Sequence, residues 1–283
     1  MSHPPGAEGR ELPAEGRQPA PYRGFDFAID QGVATVTFTR PDTLNSLTFE
    51  VYAELERLAH DCQTDDSVRV LVLTGSGKAF CSGGDVNDII GELFKRDIKG
   101  MLEFTRMTGA VVRNLRLLEK PVVASINGIA AGAGAVLALA SDFRIMAESA
   151  RFAFLFTKVG LTGADMGAAF LLPKVVGFGR ATELLMLGDT IDARTAERYG
   201  LATRVVPGDR LAEETSILAR RLAEGPAQAL GMTKRMLNNE WGMDLVSAIE
   251  AEAQAQALLL MAEDHKEFYR AFKEKRPPRF TGR

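Results

Sequence analysis

Two glycine-rich loops, each placed between an apolar strand-like run and a helix-like segment, most constrain how this chain folds. The first loop is 78–85 and follows the apolar run 70–73; the second is 127–135 and follows the run 122–126. Small residues at a strand-to-helix turn let the backbone approach a ligand closely and leave N–H groups unpaired where the helix begins. Two such loops can direct two N–H donors at one oxygen, which is an oxyanion hole. The pattern therefore predicts chemistry on a carbonyl group.

The composition favours one large domain and disfavours several kinds of partner. The chain has 283 residues, of which 46% are hydrophobic and 25% are charged, enough for a substantial core. Its formal net charge of −3, without a long basic block, argues against a nucleic-acid partner. No apolar stretch reaches the roughly 18 residues that a membrane helix needs, so we expect no membrane segment. The two cysteines, Cys62 and Cys81, lack metal-ligand spacing, which predicts a reduced, cytoplasmic compartment and no metal site.

Apolar periodicity predicts an α/β layered fold followed by a helical region. Residues 25–39 alternate around a turn as in a β-hairpin, and 48–62 has helical spacing with Thr48 as the N-cap. The strands predicted after the hairpin lie at 68–74, 121–126, 143–147, 152–156 and 201–206. The start of the chain is rich in proline and contains glutamates but no apolar run, so we predict a disordered tail rather than a targeting peptide. The predicted divisions are a tail at 1–21, a core at 22–208 and a helical region at 209–283.

Two other catalytic classes lack the residues that they need. The run 132–137 resembles a dinucleotide fingerprint, but Leu137 stands where the third glycine should be, and no acidic residue follows at the expected distance. A Ser–His–Asp triad is disfavoured because His3, His60 and His265 all lie away from any loop suited to a nucleophile, and no GxSxG motif occurs.

Carboxylates remain as the candidates for acid–base work. Asp165 lies in a glycine-rich turn that opens an apolar helix, and local sequence alone leaves it as either a helix N-cap or a general base. Asp85 and Asp88 follow the first loop, where they can cap its helix, and Asp142 is expected to be structural. The acids in a segment predicted to be a solvated helix are Glu92, Asp97 and Glu103.

Four stretches match, in order, the motifs of one family: 38–47, 79–86, 121–142 and 193–206. Through them the chain, from about Tyr22 to its C-terminus, resembles the crotonase (enoyl-CoA hydratase/isomerase) superfamily. The resemblance implies an α/β fold, a crotonase-like superhelix of ββα units with a C-terminal helical region that completes the site and the oligomer. It also implies a homotrimer or a dimer of trimers, an acyl-CoA thioester as ligand, and no metal or cofactor beyond the coenzyme A thioester of the substrate.

The resemblance also assigns the oxyanion hole and the CoA contacts. The family's two oxyanion donors correspond to the backbone N–H groups of Gly84 and Ala133. Cationic side chains for the CoA phosphates are expected from Arg40 or from the C-terminal helices. The residues that resemble the segments holding the CoA moiety are Leu44, Ser82, Gly83 and Asp85.

The catalytic acids depart from the hydratase pattern. Typical hydratases of the family carry a glutamate two residues past the GxG of the second loop, where this chain has Val136, and a second glutamate in the stretch corresponding to 154–157, which holds no acid. Asp165 instead matches the aspartate of the dienoyl-CoA isomerase and ring-epoxyphenylacetyl-CoA isomerase branches, in a similar Asp-x-Gly turn. The resemblance therefore implies Asp165 as the general base and favours a double-bond isomerase with an oxyanion-stabilised enolate.

Two alternatives stay open from the sequence. One is an enoyl-CoA hydratase that uses Asp165 with a second carboxylate from 88–103. The other is an acyl-CoA-binding protein without turnover, which the two missing glutamates motivate. We expect a role in fatty-acid or aromatic-acid metabolism, with the acyl group unspecified. Candidate lining residues for an acyl pocket are Phe94, Met101, Phe104, Met107, Phe154 and Phe156.

Overall fold

Two β-sheets organise the structure, a computed structural model that describes residues 22–283; the predicted tail at 1–21 lies outside the described residues. In this range the strands are β1 (Phe25–Asp30), β2 (Val33–Phe38), β3 (Val70–Gly75), β4 (Ala79–Cys81), β5 (Val122–Ile126), β6 (Ile129–Ala131), β7 (Phe143–Ala147), β8 (Arg151–Ala153), β9 (Ile191–Asp192) and β10 (Arg204–Val206). The helices are α1 (Phe49–Thr64), α2 (Gly91–Leu93), α3 (Ile98–Leu117), α4 (Ala133–Ala140), α5 (Ala168–Val176), α6 (Phe178–Leu187), α7 (Ala193–Arg198), α8 (Leu211–Ala223), α9 (Ala227–Asn239), α10 (Leu245–Leu260) and α11 (Glu263–Glu274).

From β3 to β8, consecutive strands alternate between the two sheets. The larger sheet has the order β1-β2-β3-β5-β7-β10, and the smaller has the order β4-β6-β8-β9. The predicted hairpin β1–β2 is antiparallel, whereas β2, β3, β5, β7 and β10 pair in parallel. Each of the pairs β3–β4, β5–β6 and β7–β8 thus places one strand in each sheet before the chain continues outward, which is the ββα superhelix. The predicted α/β fold class is confirmed.

The helices around the site follow from local sequence. Helix α1 begins at the predicted N-cap: the Thr48 hydroxyl accepts a hydrogen bond from the Val51 N–H at 3.3 Å. Its buried face, which packs against α3, consists of Val51, Tyr52, Leu55, Leu58, Ala59 and Cys62. Helix α4 is apolar on every side and all eight of its residues are buried, as expected for a helix enclosed by the core.

The C-terminal region begins as part of the core and ends in exposed apolar helices. Ala219 and Ala223 of α8 pack against valines of β3 and β5. The later helices α10 and α11 instead leave large apolar side chains exposed, namely Leu245, Val246, Ile249, Leu258, Leu260, Met261, Phe268 and Phe272. Among the helices of residues 22–283, none is by itself long and apolar enough to cross a bilayer; the pair α10–α11 meets that test only together, across a bend of 64°.

Two predicted strands are wrong in extent. The strand predicted at 152–156 ends at Ala153, and residues 155–159 form a 3-10 helix. The strand predicted at 201–206 begins only at Arg204, because the N–H groups of Leu201 and Ala202 donate to the Ala196 carbonyl and thereby close a turn after α7. Hydrogen bonds of the turn after α7, which apolar periodicity does not report, thus decide where β10 begins.

Candidate active site

The two glycine-rich loops touch each other. A Cβ placed on Gly83, whose φ is +102°, would lie 3.1 Å from the Ala131 oxygen and 3.4 Å from the Ala133 nitrogen. A Cβ on Gly134 would lie 2.1 Å from the Cys81 oxygen, so α4 begins directly against β4. Only glycine permits this approach and the positive φ at position 83. The sequence-predicted donors at Gly84 and Ala133 are thereby brought to one place.

Both predicted donor N–H groups lack an acceptor within residues 22–283. The Leu47 N–H donates to the Gly83 carbonyl at 2.8 Å, and the Leu47 carbonyl accepts from the Asp85 N–H at 2.9 Å. The N–H of Gly84, between Gly83 and Asp85, takes no part in this pairing. Ala133 is the first residue of α4, so its N–H has no partner within the helix. Two adjacent free N–H groups, one of them at a helix N-terminus, are what an oxyanion hole requires.

Asp165 lies in a strained turn before α5. Met166 has a φ of +50° and Gly167 a φ of +87°, so two left-handed residues follow the aspartate directly. A buried methionine in this conformation costs of order 1–3 kcal/mol, and such strain tends to occur at functional sites. The N-cap position of α5 falls on Gly167, so the alternative that Asp165 caps this helix is wrong. Partial burial raises the pKa of Asp165, and the Met166 N–H opposes this only in part.

The raised pKa predicts the pH dependence of a reaction that uses Asp165 as base. The carboxylate is the active form, so kcat/KM should rise with pH through the pKa of Asp165 and should fall as the pH drops below it. Because burial raises this pKa, the midpoint of the acid limb should lie above about 3.9, the ordinary value for aspartate. A pH profile of kcat/KM from pH 3.5 to 8 measures it. An acid limb at the ordinary value would contradict this role for the half-buried carboxylate.

Leu44, Ser82 and Gly83, three of the predicted CoA contacts, are adjacent. The Ser82 N–H donates to the Leu44 carbonyl at 3.0 Å, which fastens the first loop to the segment after β2. Leu44 and Asn45 have φ values of +55° and +57°, and the Leu44 side chain is 45% exposed. An exposed leucine on a left-handed backbone is a conformation suited to contact with a ligand. These three assignments stay predictions.

The side chains of Asp85 and Arg40 are already engaged within the protein. The Asp85 carboxylate accepts hydrogen bonds from the Ser46 hydroxyl at 2.7 Å, from the Arg40 guanidinium at 3.2 Å and from the N–H groups of Asn87 and Asp88. The Ser46 hydrogen bond is the largest cause of the lowered pKa of Asp85. Asp85 therefore caps the turn after the first loop, and its backbone is engaged as well, since its N–H donates to the Leu47 carbonyl and its carbonyl accepts from the Ile89 N–H. Its assignment as a CoA contact stays a prediction.

The acids of the 88–103 segment lie on the surface and are engaged in other contacts, which disfavours any of them as a second carboxylate beside Asp165. Asp88 pairs with Arg40 at 3.6 Å, and its side chain is exposed. Glu92 pairs with Lys95 and Glu103 with Lys99, all with exposed side chains, while Asp97 caps α3 by accepting from the Gly100 N–H. Val136, at the first position that carries glutamate in typical hydratases, is buried, and in the stretch 154–157, which corresponds to the second, Phe154 and Phe156 are buried. Within residues 22–283, no three histidine, cysteine, aspartate or glutamate side chains come together as a metal site.

The candidate acyl-pocket residues are divided between core and surface. Phe154 is fully buried, and Phe94 is 81% exposed. Phe104 packs edge-on against Phe49 and Tyr52. A separate cavity of about 380 Å³ opens beside the Asp165 turn, lined in part by Met166, Gly167, Val112, Leu117, Phe170 and Trp241.

Tyr52 is a site residue that the sequence did not single out. Its hydroxyl lies 3.8 Å from the position that a Cβ would take on Gly84. Its side chain belongs to the buried stripe of α1, where an aromatic residue is by default part of the core. The sequence could have indicated Tyr52 in one way: it is a phenol among otherwise apolar positions of the α1 stripe, and a buried tyrosine hydroxyl needs a hydrogen-bond partner.

The alternating strands of the two sheets and the helices that follow them define a crotonase-type fold, and the comparisons agree. The model of the enoyl-CoA hydratase/isomerase family matches residues 28–283, so the chain belongs to this family of enzymes and the resemblance seen in the sequence is confirmed. It is 39% identical to 1,2-epoxyphenylacetyl-CoA isomerase of Escherichia coli K12, over 90% of this chain and 97% of that protein. It is 36% identical to a probable enoyl-CoA hydratase of Rhodobacter capsulatus, over 93% and 99%. The crystal structure of a putative enoyl-CoA hydratase from Streptomyces coelicolor A3(2) superimposes with a TM-score of 0.92 at 53% identity, covering 95% of this chain and 98% of that one.

Proposed function

We propose that this enzyme moves a double bond within an unsaturated acyl-CoA thioester, with Asp165 as the single base. The observation that carries the proposal is the pairing of a half-buried Asp165, whose pKa is raised by burial, with apolar side chains at both hydratase glutamate positions. A valine and a phenylalanine neither orient nor deprotonate water. One carboxylate is sufficient for a 1,3-shift of a proton, whereas hydration must activate water and also protonate carbon.

The proposed reaction has two proton transfers. The Asp165 carboxylate removes a proton from one carbon of the allylic unit, and the electron pair moves onto the thioester oxygen to give a dienolate. The N–H groups of Gly84 and Ala133 stabilise that oxygen; each such donor is worth about 3 kcal/mol. The carboxylic acid then returns its proton to the carbon at the other end of the unit. The raised pKa of Asp165 suits the first step, because it makes the carboxylate a stronger base.

The other parts of the proposal concern ligand, assembly and location. The ligand is an acyl-CoA thioester, with no cofactor beyond its coenzyme A, and the cavity beside Met166 and Gly167 offers room for an acyl group. The exposed apolar side chains of α10 and α11 support a homotrimer or a dimer of trimers, which would cover them. We place the enzyme in the cytoplasm, in fatty-acid or aromatic-acid metabolism; the name of the E. coli relative supports the aromatic branch.

The hydratase alternative is less well supported. It needs a second carboxylate from 88–103, and those acids are exposed and are paired with lysines, paired with Arg40 or engaged as a helix cap. Its support is the names of two similar proteins, the relative from Rhodobacter capsulatus and the structure from Streptomyces coelicolor A3(2).

Product analysis tests the proposal. The protein is incubated with 2-enoyl-, 3-enoyl- and ring-epoxide acyl-CoA esters. The products are separated by liquid chromatography, and their masses are measured by mass spectrometry. Isomerisation gives a product of unchanged mass and altered retention. A product heavier by one water would instead establish the hydratase. Tight binding of every ester without turnover would establish an acyl-CoA-binding protein.

A further inference from the structure

Helix α4 presents the Ala133 N–H, one of the two proposed oxyanion donors, from its first residue. Its eight residues carry no polar side chain, and all of them are buried. Contacts between apolar side chains have no preferred direction, so they hold the helix in the core without fixing where its axis points. A helix of two turns is also only marginally stable by itself. The direction of the Ala133 N–H therefore depends on what holds the two ends of α4.

The first end of α4 is held by the backbone. The Gly132 N–H donates to the Ala153 carbonyl of β8 at 2.9 Å. At the next turn, the close approach of Gly134 to the Cys81 oxygen leaves no space between α4 and β4. These contacts fix the position of this end, and the tilt of the helix is decided at the other end.

A buried guanidinium holds that other end. Arg144 of β7 is 8% exposed, and its Nη1 donates to the Ser141 carbonyl at 2.5 Å and to the Leu139 carbonyl at 3.4 Å. Both carbonyls lie where α4 ends, and the last carbonyls of a helix have no partner within it. The Nε of Arg144 donates to the Leu201 carbonyl at 2.5 Å, which joins the same end to the segment after α7.

The charge of Arg144 is directed at this helix rather than at an acid. Within residues 22–283, the hydrogen bonds of its side chain go to backbone carbonyls and not to a carboxylate. Burial lowers the pKa of Arg144 to about 10, so the group is still a cation at neutral pH. A cation at the carbonyl end of a helix interacts favourably with the helix dipole. Arg116 adds only a longer contact, 3.4 Å to the Ala140 carbonyl, and also pairs with Asp142.

We propose that Arg144 is a positioning residue of the oxyanion hole: by holding the last carbonyls of α4, it keeps the Ala133 N–H directed at the thioester oxygen. It acts from the far end of the helix, about 12 Å away at 1.5 Å per residue, and does not touch the substrate. Hydrogen bonds weaken steeply as their angle departs from linearity, and a misplacement of about 1 Å can cost about 100-fold in rate. This inference rests on the proposed function, because it takes the role of Ala133 from it.

The carbonyl band of a bound, unreactive ester reports the oxyanion hole directly. The probe is pentanoyl-CoA with a heavy carbon isotope at the thioester carbonyl, which has no double bond to move. Raman difference spectroscopy gives its C=O stretching frequency, and hydrogen bonds to the oxygen lower that frequency. The wild type should therefore lower it relative to the ester in water, and Arg144→Met should lower it less. With the best ester of the product screen, Arg144→Met should also reduce kcat by about 10- to 100-fold while KM changes little.

Two further variants complete the comparison. Arg144→Lys keeps the charge but lacks the planar fork of the guanidinium, so its carbonyl frequency should fall between those of the wild type and Arg144→Met. Arg194→Met makes the same change at an exposed side chain of α7 and should match the wild type in both frequency and kcat.

The remaining outcomes separate this inference from the proposed function. An equal carbonyl frequency in the wild type and Arg144→Met overturns the inference even if the enzyme isomerises enoyl esters, and a lower Tm would then show a merely structural role. A smaller lowering in Arg144→Met supports it even if the product screen finds no isomerisation. If Arg144→Met does not fold, Arg144→Lys decides, and a frequency equal to that of the wild type overturns the inference. A wild type that does not lower the frequency has no oxyanion hole to position, which overturns the inference as well.

Discussion

Asp165→Asn is expected to lower kcat for the double-bond shift by about 100- to 10,000-fold, the usual contribution of a positioned general base. The amide keeps the size of the side chain and cannot accept the proton that the reaction removes. KM should change little, because the oxyanion donors and the CoA contacts belong to other loops. Steady-state kinetics with the best ester of the product screen measures both parameters.

The same variant should be more stable than the wild type near neutral pH. The pKa of Asp165 is raised by burial, so the folded state holds its proton more tightly than the unfolded chain does. Its contribution to stability is therefore greatest at low pH and is lost as the pH rises through the folded pKa. Replacing the carboxylate by a neutral amide removes that loss. A higher Tm at pH 7, with a smaller difference at pH 4, would show that the lost activity does not result from unfolding.

Glu103→Gln is the matched control for Asp165→Asn. It makes the same chemical change at an exposed carboxylate of the 88–103 segment, so kcat and Tm should both stay close to those of the wild type. A large loss of activity in Glu103→Gln would revive the hydratase with a second acid. Full activity in Asp165→Asn would remove Asp165 from the mechanism altogether.

Local chemistry in the sequence accounts for much of the fold and for part of the site. The hairpin at 25–39 and the start of α1 at Thr48 were predictable, because alternation and capping depend on neighbouring residues. The two loops were recognisable because glycine is required where their backbones touch. Asp165 was recognisable as unusual because a carboxylate in an otherwise apolar turn costs free energy of solvation.

Features set by distant parts of the chain were not predictable in this way. The Asp85 carboxylate accepts a hydrogen bond from the Arg40 guanidinium, which lies 45 positions earlier in the chain. That contact, which the local sequence does not show, helps decide the function of the carboxylate. Tyr52 fits the apolar stripe of α1, and only the fold shows that its hydroxyl lies near Gly84 of the first loop. In both cases a contact between distant segments decides the outcome, and the periodicity of the sequence does not report it.

Asp142→Ala is expected to destabilise the protein by about 3–5 kcal/mol, the cost of leaving a buried charge without its partner. The carboxylate pairs with the Lys234 ammonium at 2.8 Å and with the Arg116 guanidinium at 3.2 Å, and it accepts the Val122 N–H at 2.8 Å. It thus joins α3, β5 and α9 at one point, which confirms the structural role predicted for it. Lys234 is buried, and burial lowers its pKa while Asp142 opposes that shift. Urea unfolding at matched protein concentration measures the loss.

Two further variants separate a buried ion pair from an ion pair in general. Asp189→Ala breaks the exposed Lys158–Asp189 pair and should cost less than about 1 kcal/mol. The double variant Asp142→Ala/Lys234→Met should recover part of the stability lost in Asp142→Ala, because an apolar side chain in that pocket needs no counter-charge. If Asp142→Ala costs no more than Asp189→Ala, water reaches Lys234 in the variant, and the junction of α3 with α9 is less enclosed than its packing implies. A full loss in Asp142→Ala together with recovery in the double variant would identify the unpaired ammonium, rather than the missing carboxylate, as the source of the instability.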